Sequence, residues 1–425
     1  MSLLGEIERN RVADDGVLRF IAAGSVDDGK STLIGRLLHD SRAILADQLA
    51  AVARASEKRG QDVIDLSLLT DGLEAEREQG ITIDVAYRYF ATATRKFIIA
   101  DTPGHEQYTR NMATGASTAH AAVILVDARK GVLPQTRRHT IIARLLGIRH
   151  IVVAVNKMDL VGFEQSVFER IRADMLGFAG SLAIPDLRFV PLSALAGDMV
   201  VERGVGLAWY RGPTLLETLE SIDVIDDTDS LPLRFPVQWV VRPGAGSDFR
   251  GYAGRVEAGT LAPGDEVIVL PAGLRTRVTE IRVLEDSRPI AVAGDSVTVT
   301  LADDIDISRG DLIADASRPA GAAKSVEARI CWLDTAPLDA SARYLLKHTT
   351  RTVRAKVSAV HHRLDVHTLE RQPAASVAMN DIAQVSIALA QPICFDPYDA
   401  NRATGSFILI DEATNHTVAA GMIDG

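Results

Sequence analysis

Gly24-Ser25-Val26-Asp27-Asp28-Gly29-Lys30-Ser31 places two glycines, an ammonium and a hydroxyl in one short loop, followed by Thr32 and a helical pattern. Glycines let the backbone wrap closely around a phosphate, with its amides pointing inward at a helix N-terminus. Lys30 then bridges β- and γ-phosphate oxygens, and the Ser31 hydroxyl suits Mg²⁺. The run matches G-x-x-x-x-G-K-[ST] without a departure and follows an apolar strand pattern, the context that gives this motif its meaning. Downstream, Asp101-Thr102-Pro103-Gly104-His105 follows the apolar residues Phe97-Ile98-Ile99-Ala100. An acid at a strand end there holds the cation, commonly through water, while the Gly104 amide meets the γ-phosphate. Between the two runs, Gly80-Ile81-Thr82-Ile83 offers a second hydroxyl. Thr82 would complete the Mg²⁺ shell only while the γ-phosphate is present, so its segment would order and release with hydrolysis. In isolation the first of these runs also reads as a turn and the second as an ordinary strand. Their order after Ser31 favours the phosphate reading.

A fourth run selects the base. Asn156-Lys157-Met158-Asp159 closes the apolar stretch Ile151-Val152-Val153-Ala154-Val155. Guanine presents N1–H and an N2 amino group on one edge, and a single carboxylate accepts both. Adenine has an acceptor at the equivalent ring nitrogen, which leaves Asp159 mispaired. Sites built on such polar contacts reject the wrong analogue by roughly 10⁴-fold or more. Lys157 lays its stem over the purine ring, Asn156 ties neighbouring loops together, and Ser193-Ala194-Leu195 offers a backbone amide to guanine O6. The expected nucleotide is GTP, not ATP.

The elements that must hold these loops are visible in the hydrophobic pattern. From Leu18 to about Glu220, short apolar runs alternate with helical segments. Strands are expected at Leu18–Ala23, Lys96–Asp101, Ala121–Asp127, His150–Asn156 and Arg188–Leu192, and helices at Lys30–His39 and Gln135–Leu146. Strands apolar on both faces belong in a parallel sheet covered by helices, here a doubly wound, mostly parallel α/β P-loop domain. The rhythm stops at Ser221, where SIDVIDDTDSLP reads as an exposed linker. Beyond it, short strands and Gly/Pro-rich turns indicate two all-β barrel domains separated at Ala316–Lys324. Three domains are expected: 1–222, 233–317 and 325–425. In the second and third, Thr349–Val360 and Ala383–Leu389 read as half-buried strands, and Trp239 and Trp332 as barrel core.

The chain has 425 residues, 47% hydrophobic and 24% charged, with 46 basic and 56 acidic side chains and a formal net charge of −10. Such a balance argues against broad nucleic-acid binding. Cys331 and Cys394 sit far apart, near no histidine pair at metal spacing, and read as buried small hydrophobes. No signal peptide and no bilayer-length apolar run is apparent, so no membrane association and a cytoplasmic location are expected.

Taken together, the motifs resemble the translation-factor class of GTPases, and DTPGHEQYTRNM with GITI and NKMD is similar to its elongation-factor branch. The remaining segments resemble one metabolic offshoot, the GTPase subunit of bacterial sulfate adenylyltransferase (ATP sulfurylase). The loop GSVDDGKST departs from the GHVDHGK usual in elongation factors. DGLEAEREQGITIDVAYRYF, GVLPQTRRH, GRVEAGTLAPGDEV and TGSFILIDEATNHTVAAGMI are similar to that subunit, so the resemblance covers almost the whole chain. It implies a GTP-binding domain with two β-barrels, GTP and Mg²⁺ as cofactors, and a smaller catalytic subunit as partner in a heterodimer or higher assembly. In that complex GTP hydrolysis drives ATP and sulfate to adenosine 5′-phosphosulfate and pyrophosphate. No SGG-type pyrophosphatase loop or HxGH-like motif is found, so adenylyl transfer is expected on the partner. The adenylylsulfate kinase fused to some relatives is expected to be absent after Gly425.

By the same resemblance His105 orients the attacking water, with hydrolysis slow until a partner completes the site. Arg137-Arg138-His139 is expected on a solvated helix face and His361-His362 on a strand surface. Arg77 is open between a phosphate or partner contact and a surface salt bridge. The competing function is a translational GTPase carrying aminoacyl-tRNA, which shares every nucleotide motif. The phosphate loop and DGLEAEREQ favour sulfate activation.

Overall fold

The computed structural model describes residues 16–44, 46–58, 64–69, 85–102, 112, 115–116, 118–224, 227–242, 249–365, 370–374 and 376–424. The chain divides into two compact units, the first ending at Val224 and the second covering the described residues from 227 onward.

The first unit is built on a six-stranded sheet. Its strands are β1 (Val17–Ala23), β2 (Ala86–Ala91), β3 (Lys96–Asp101), β4 (Ala121–Asp127), β5 (His150–Asn156) and β6 (Asp186–Pro191), in the order β2-β3-β1-β4-β5-β6. All neighbours pair in parallel except β2 with β3. Every residue of β4 is buried, as are Phe20 to Ala23 of β1, which matches a sheet covered on both faces. The direction of strand succession reverses beside β1, and ligands of open α/β sheets bind at such points, outside the carboxyl ends of the strands.

Around the sheet lie α1 (Lys30–Asp40), α2 (Ala46–Lys58), α3 (Pro134–Leu145), α4 (Gln165–Ala179) and α5 (Leu215–Glu220). Proline at the first turn of α3 costs no hydrogen bond, and the Leu133 amide donates to Thr136 Oγ1 at 3.3 Å. A capping box opens α5: the Glu217 amide donates to Thr214 Oγ1 at 3.1 Å and the Thr214 amide to Glu217 Oε2 at 2.7 Å. Phe168, Ile171, Met175 and Phe178 form the buried stripe of α4.

Two expectations for this unit need correction. His139 is 1% exposed and not on a solvated face. It shares the inner stripe of α3 with Thr136, Thr140 and Ala143, so polar side chains there take the spacing usually filled by apolar ones. Burial and the nearby Lys30 and Arg138 cations press its imidazole pKa down to about 3, so the ring is neutral. The segment after Ser221 is not wholly exposed either: Ile222 is buried, and Arg95 donates to the Leu219, Glu220 and Ile222 carbonyls.

The second unit carries two rings of strands. In the first, Glu266–Leu270, Leu312–Asp315, Arg234–Val241, Gly251–Arg255, Ser296–Leu301 and Leu274–Val283 follow one another, and the last pairs back with the first. In the other, Tyr344–His348, Ser406–Asp411, Thr417–Ile423, Gly321–Trp332, Ile382–Phe395 and Arg351–Leu364 close in the same way. Each encloses its own apolar core, one around Phe235, Tyr252 and Ile281, the other around Trp332, Tyr344 and Phe407. A bidentate ion pair joins them: Arg234 Nε and Nη2 lie 2.8 and 2.9 Å from the Asp396 carboxylate, which also accepts Thr404 Oγ1 at 2.6 Å. Arg351 with Asp311 at 3.0 Å, and Thr350 Oγ1 with the Val237 carbonyl at 2.8 Å, add further links.

Trp332 is buried, but Trp239 is 67% exposed and is not barrel core. A register shift between Val237 and Trp239 inserts an extra residue, so Val240 instead of Trp239 turns inward opposite Tyr252. The strand expected from Thr349 begins at Arg351, because Thr349 adopts φ 46° in the turn before it. His361 lies exposed on that strand, 3.1 Å from Glu327 Oε2 of Gly321–Trp332, across the intervening strand Ile382–Phe395, an acid that sequence spacing does not reveal. Cys331 and Cys394 are both buried, and burial pushes the Cys394 thiol up to about 12. Among the described residues no helix is long and apolar enough to cross a membrane.

Candidate nucleotide-binding site

β1 ends at Ala23, the loop from Gly24 curls over the end of the sheet, and α1 opens at Lys30. Asp27 at φ 66° and Gly29 at φ 91° both take the left-handed conformation. For Asp27 this is strain of the kind that gathers at ligand loops. Gly29 has no alternative: a Cβ there would stand 2.5 Å from Asn156 Nδ2. The Lys30 ammonium, 8% exposed as a residue, lies 3.4 Å from Asp101 Oδ1 and donates to the Thr102 carbonyl. Thr102 Oγ1 in turn donates to the Ala22 carbonyl at 2.8 Å, pinning the end of β3 to that of β1. Val26 is exposed, and Ser31 and Thr32 are half-buried at the start of α1.

Asp28 is buried inside the loop. The Ser25 amide donates to its Oδ2 at 2.7 Å, and Asn156 Nδ2 to its carbonyl at 2.8 Å. Burial outweighs the Ser25 bond and the neighbouring ammoniums, and its carboxyl is pushed up to about 6.

Asn156, at the end of β5, accepts the Lys157 and Ala194 amides at 2.8 and 2.9 Å while holding the phosphate loop. Lys157, at φ 63°, donates to the Asp27 carbonyl and lies 3.1 Å from Asp127 Oδ2. Ser193 Oγ donates to Asp159 Oδ1 at 2.6 Å, which orients the carboxylate and leaves lone pairs on both oxygens. The amide expected for guanine O6 narrows to one residue. Ser193 N–H goes to the Asp198 carbonyl at 3.1 Å and Ala194 N–H to Asn156, whereas Leu195 N–H has no acceptor among the described residues.

Contacts therefore run unbroken from Asp101 through Lys30, the phosphate loop and Asn156 to Ser193, Ala194 and Asp159. Thr82, Gly104, His105 and Arg77 lie outside the described residues.

Three supporting residues escape the sequence reading. Arg36 of α1 donates to the Ala194 and Leu195 carbonyls at 3.2 and 2.6 Å and so fixes the third loop. Asp127 ends β4 and is gripped by Arg129 at 2.6 Å as well as by Lys157. Burial alone would raise its carboxyl, but those two cations hold it far below the usual carboxylate range. The acid at a strand end was a usable signal for Asp127; nothing in the sequence distinguishes Arg36 from other helix arginines.

Residues 15–226 match the elongation factor Tu GTP binding domain family, and residues 325–424 the GTP-eEF1A C-terminal domain-like family. A protein named sulfate adenylyltransferase subunit 1 from Laribacter hongkongensis is 56% identical over 96% of this chain and 85% of its own length. Its namesake from Aeromonas salmonicida is 54% identical over 96% and 86%. The bifunctional enzyme CysN/CysC of Mycobacterium tuberculosis is 54% identical over 96% of this chain and 67% of that protein.

Proposed function

The chain belongs to the sulfate adenylyltransferase subunit 1 family, and on that premise we propose that it is the GTP-hydrolysing subunit of an ATP:sulfate adenylyltransferase. GTP hydrolysis on this chain drives ATP and sulfate to adenosine 5′-phosphosulfate and pyrophosphate on a smaller catalytic subunit. The observation that carries this reading is 56% identity, sustained over 96% of the chain, to a relative bearing that name. The translational alternative shares the nucleotide loops but not those names, and "subunit 1" itself supports a partner.

Within the site, the loop amides and Lys30 hold the phosphates, with Lys30 exchanging the Thr102 carbonyl for phosphate oxygens. Asp159 and the Leu195 amide read guanine, while Asn156, Lys157 and Arg36 keep their loops in place. Mg²⁺, when bound, would neutralise phosphate charge. Ser31, Thr82 and Asp101 supply the hard oxygen atoms it prefers, and the burial of Asp101 beside Lys30 supports that role. His105 orients the attacking water. Residues 1–222, 233–317 and 325–425 serve as working domains in a cytoplasmic complex, a division supported by the separate cores of the last two.

The tagged chain purified from its own host is expected to bring down one smaller protein in fixed ratio. Tight, GTP-dependent recovery of aminoacyl-tRNA without a protein partner would return the chain to translation.

A further inference from the structure

The phosphate loop contains a carboxyl that the mechanism above leaves unused. Asp28 is 1% exposed; its Oδ2 takes the Ser25 amide, and its Oδ1 is buried with no hydrogen-bond partner among the described residues. An ionised carboxylate needs donors on both oxygens, and burying one with a bare oxygen is costly. The charges facing it come from two neighbouring strand ends. Lys130 and Lys157 favour the anion, and Asp127 opposes it. The influences of Lys157 and Asp127 are diluted, because Lys157 and Arg129 are already engaged with Asp127. A nucleotide brings several more negative charges into the same loop, and like charge disfavours ionisation.

We propose that Asp28 takes up a proton when a guanine nucleotide enters the loop, so that nucleotide binding is linked to protonation. The inference rests on the reading of these loops as a guanine-nucleotide site. Its sign follows from linkage. With the free carboxyl at about 6, the acid form is already present below that pH and nothing is taken up. Above it, the free protein is ionised and the bound one protonated, so affinity falls with rising pH by up to about tenfold per unit.

The test is titration calorimetry of the full chain with Mg²⁺ and GDP at pH 7.5, in two buffers of different ionisation enthalpy. Wild type is expected to take up about one proton per nucleotide more than Asp28→Asn, and the ratio of their Kd values to rise by about tenfold between pH 6.5 and 7.5. Equal uptake with a flat ratio would overturn the proposal. If Asp28→Asn does not fold, wild type alone decides it. Uptake at pH 7.5 that vanishes at pH 5.5 supports the link, and no uptake at either pH refutes it. Failure to bind any guanine nucleotide would instead defeat the site reading on which the proposal stands.

Discussion

Asp159→Asn is expected to weaken GTP binding by roughly 10³–10⁴-fold, because a site built on polar contacts loses heavily when they are mispaired. Guanine offers donors from N1 and N2, and only an acceptor with free lone pairs on that edge satisfies both. In the wild type Ser193 Oγ donates to Asp159 Oδ1 at 2.6 Å, so the carboxylate is already turned and needs no reorganisation. Asparagine keeps the shape but sets an N–H donor against a donor of the base. Xanthine, with a carbonyl in place of the N2 amino group, restores the match, so the same variant should gain affinity for XTP. Competition binding with both nucleotides measures the exchange. A variant that keeps GTP within tenfold of wild type would remove Asp159 from base reading.

Arg234→Ala is expected to destabilise the second unit by about 3–5 kcal/mol, the cost of leaving a buried charge without its partner. Arg234 is 3% exposed and also donates to the Leu233 and Arg318 carbonyls, so its loss strips several acceptors at once. Replacing Arg234 by methionine together with Asp396→Leu should cost far less, since no uncompensated carboxylate remains. Asp396 adds a pH signature. Burial alone would raise its carboxyl, but Arg234 and Thr404 hold it below the ordinary range. Its stabilisation is therefore complete above the unfolded carboxylate's pKa and fades as pH falls through the depressed one. Urea unfolding across acid pH should show that loss in wild type and little of it in Arg234→Ala. A loss below about 1 kcal/mol would mean the pair behaves as a surface salt bridge.

What the sequence reveals and what it hides follow from the range of the interaction involved. Strands β3, β4 and β5 are legible to the residue because each is a continuous apolar run, buried on both faces and closed by a polar loop. The loops are legible because phosphate and guanine demand particular groups at fixed spacing. Trp239 is misread because one bulged residue inverts the facing of everything after it. His139 is misread because its neighbours on the buried stripe are two threonines and an alanine, which carry little hydrophobic signal. Arg36 and Arg129 act across distant segments or on a neighbouring acid, and Arg234 meets Asp396 across 162 residues, so no local pattern announces them. The same holds for Leu195 N–H, which emerges only once the partners of Ser193 and Ala194 are known.

The central claim is that GTP turnover on this chain is coupled to sulfate activation. It is tested most directly by pyrophosphate release from the complex purified from its own host, given ATP and sulfate, with and without GTP. Release that requires both sulfate and GTP, with GTP hydrolysis rising alongside, is the predicted result. GTP hydrolysis indifferent to sulfate, with pyrophosphate release unchanged by GTP, would contradict it.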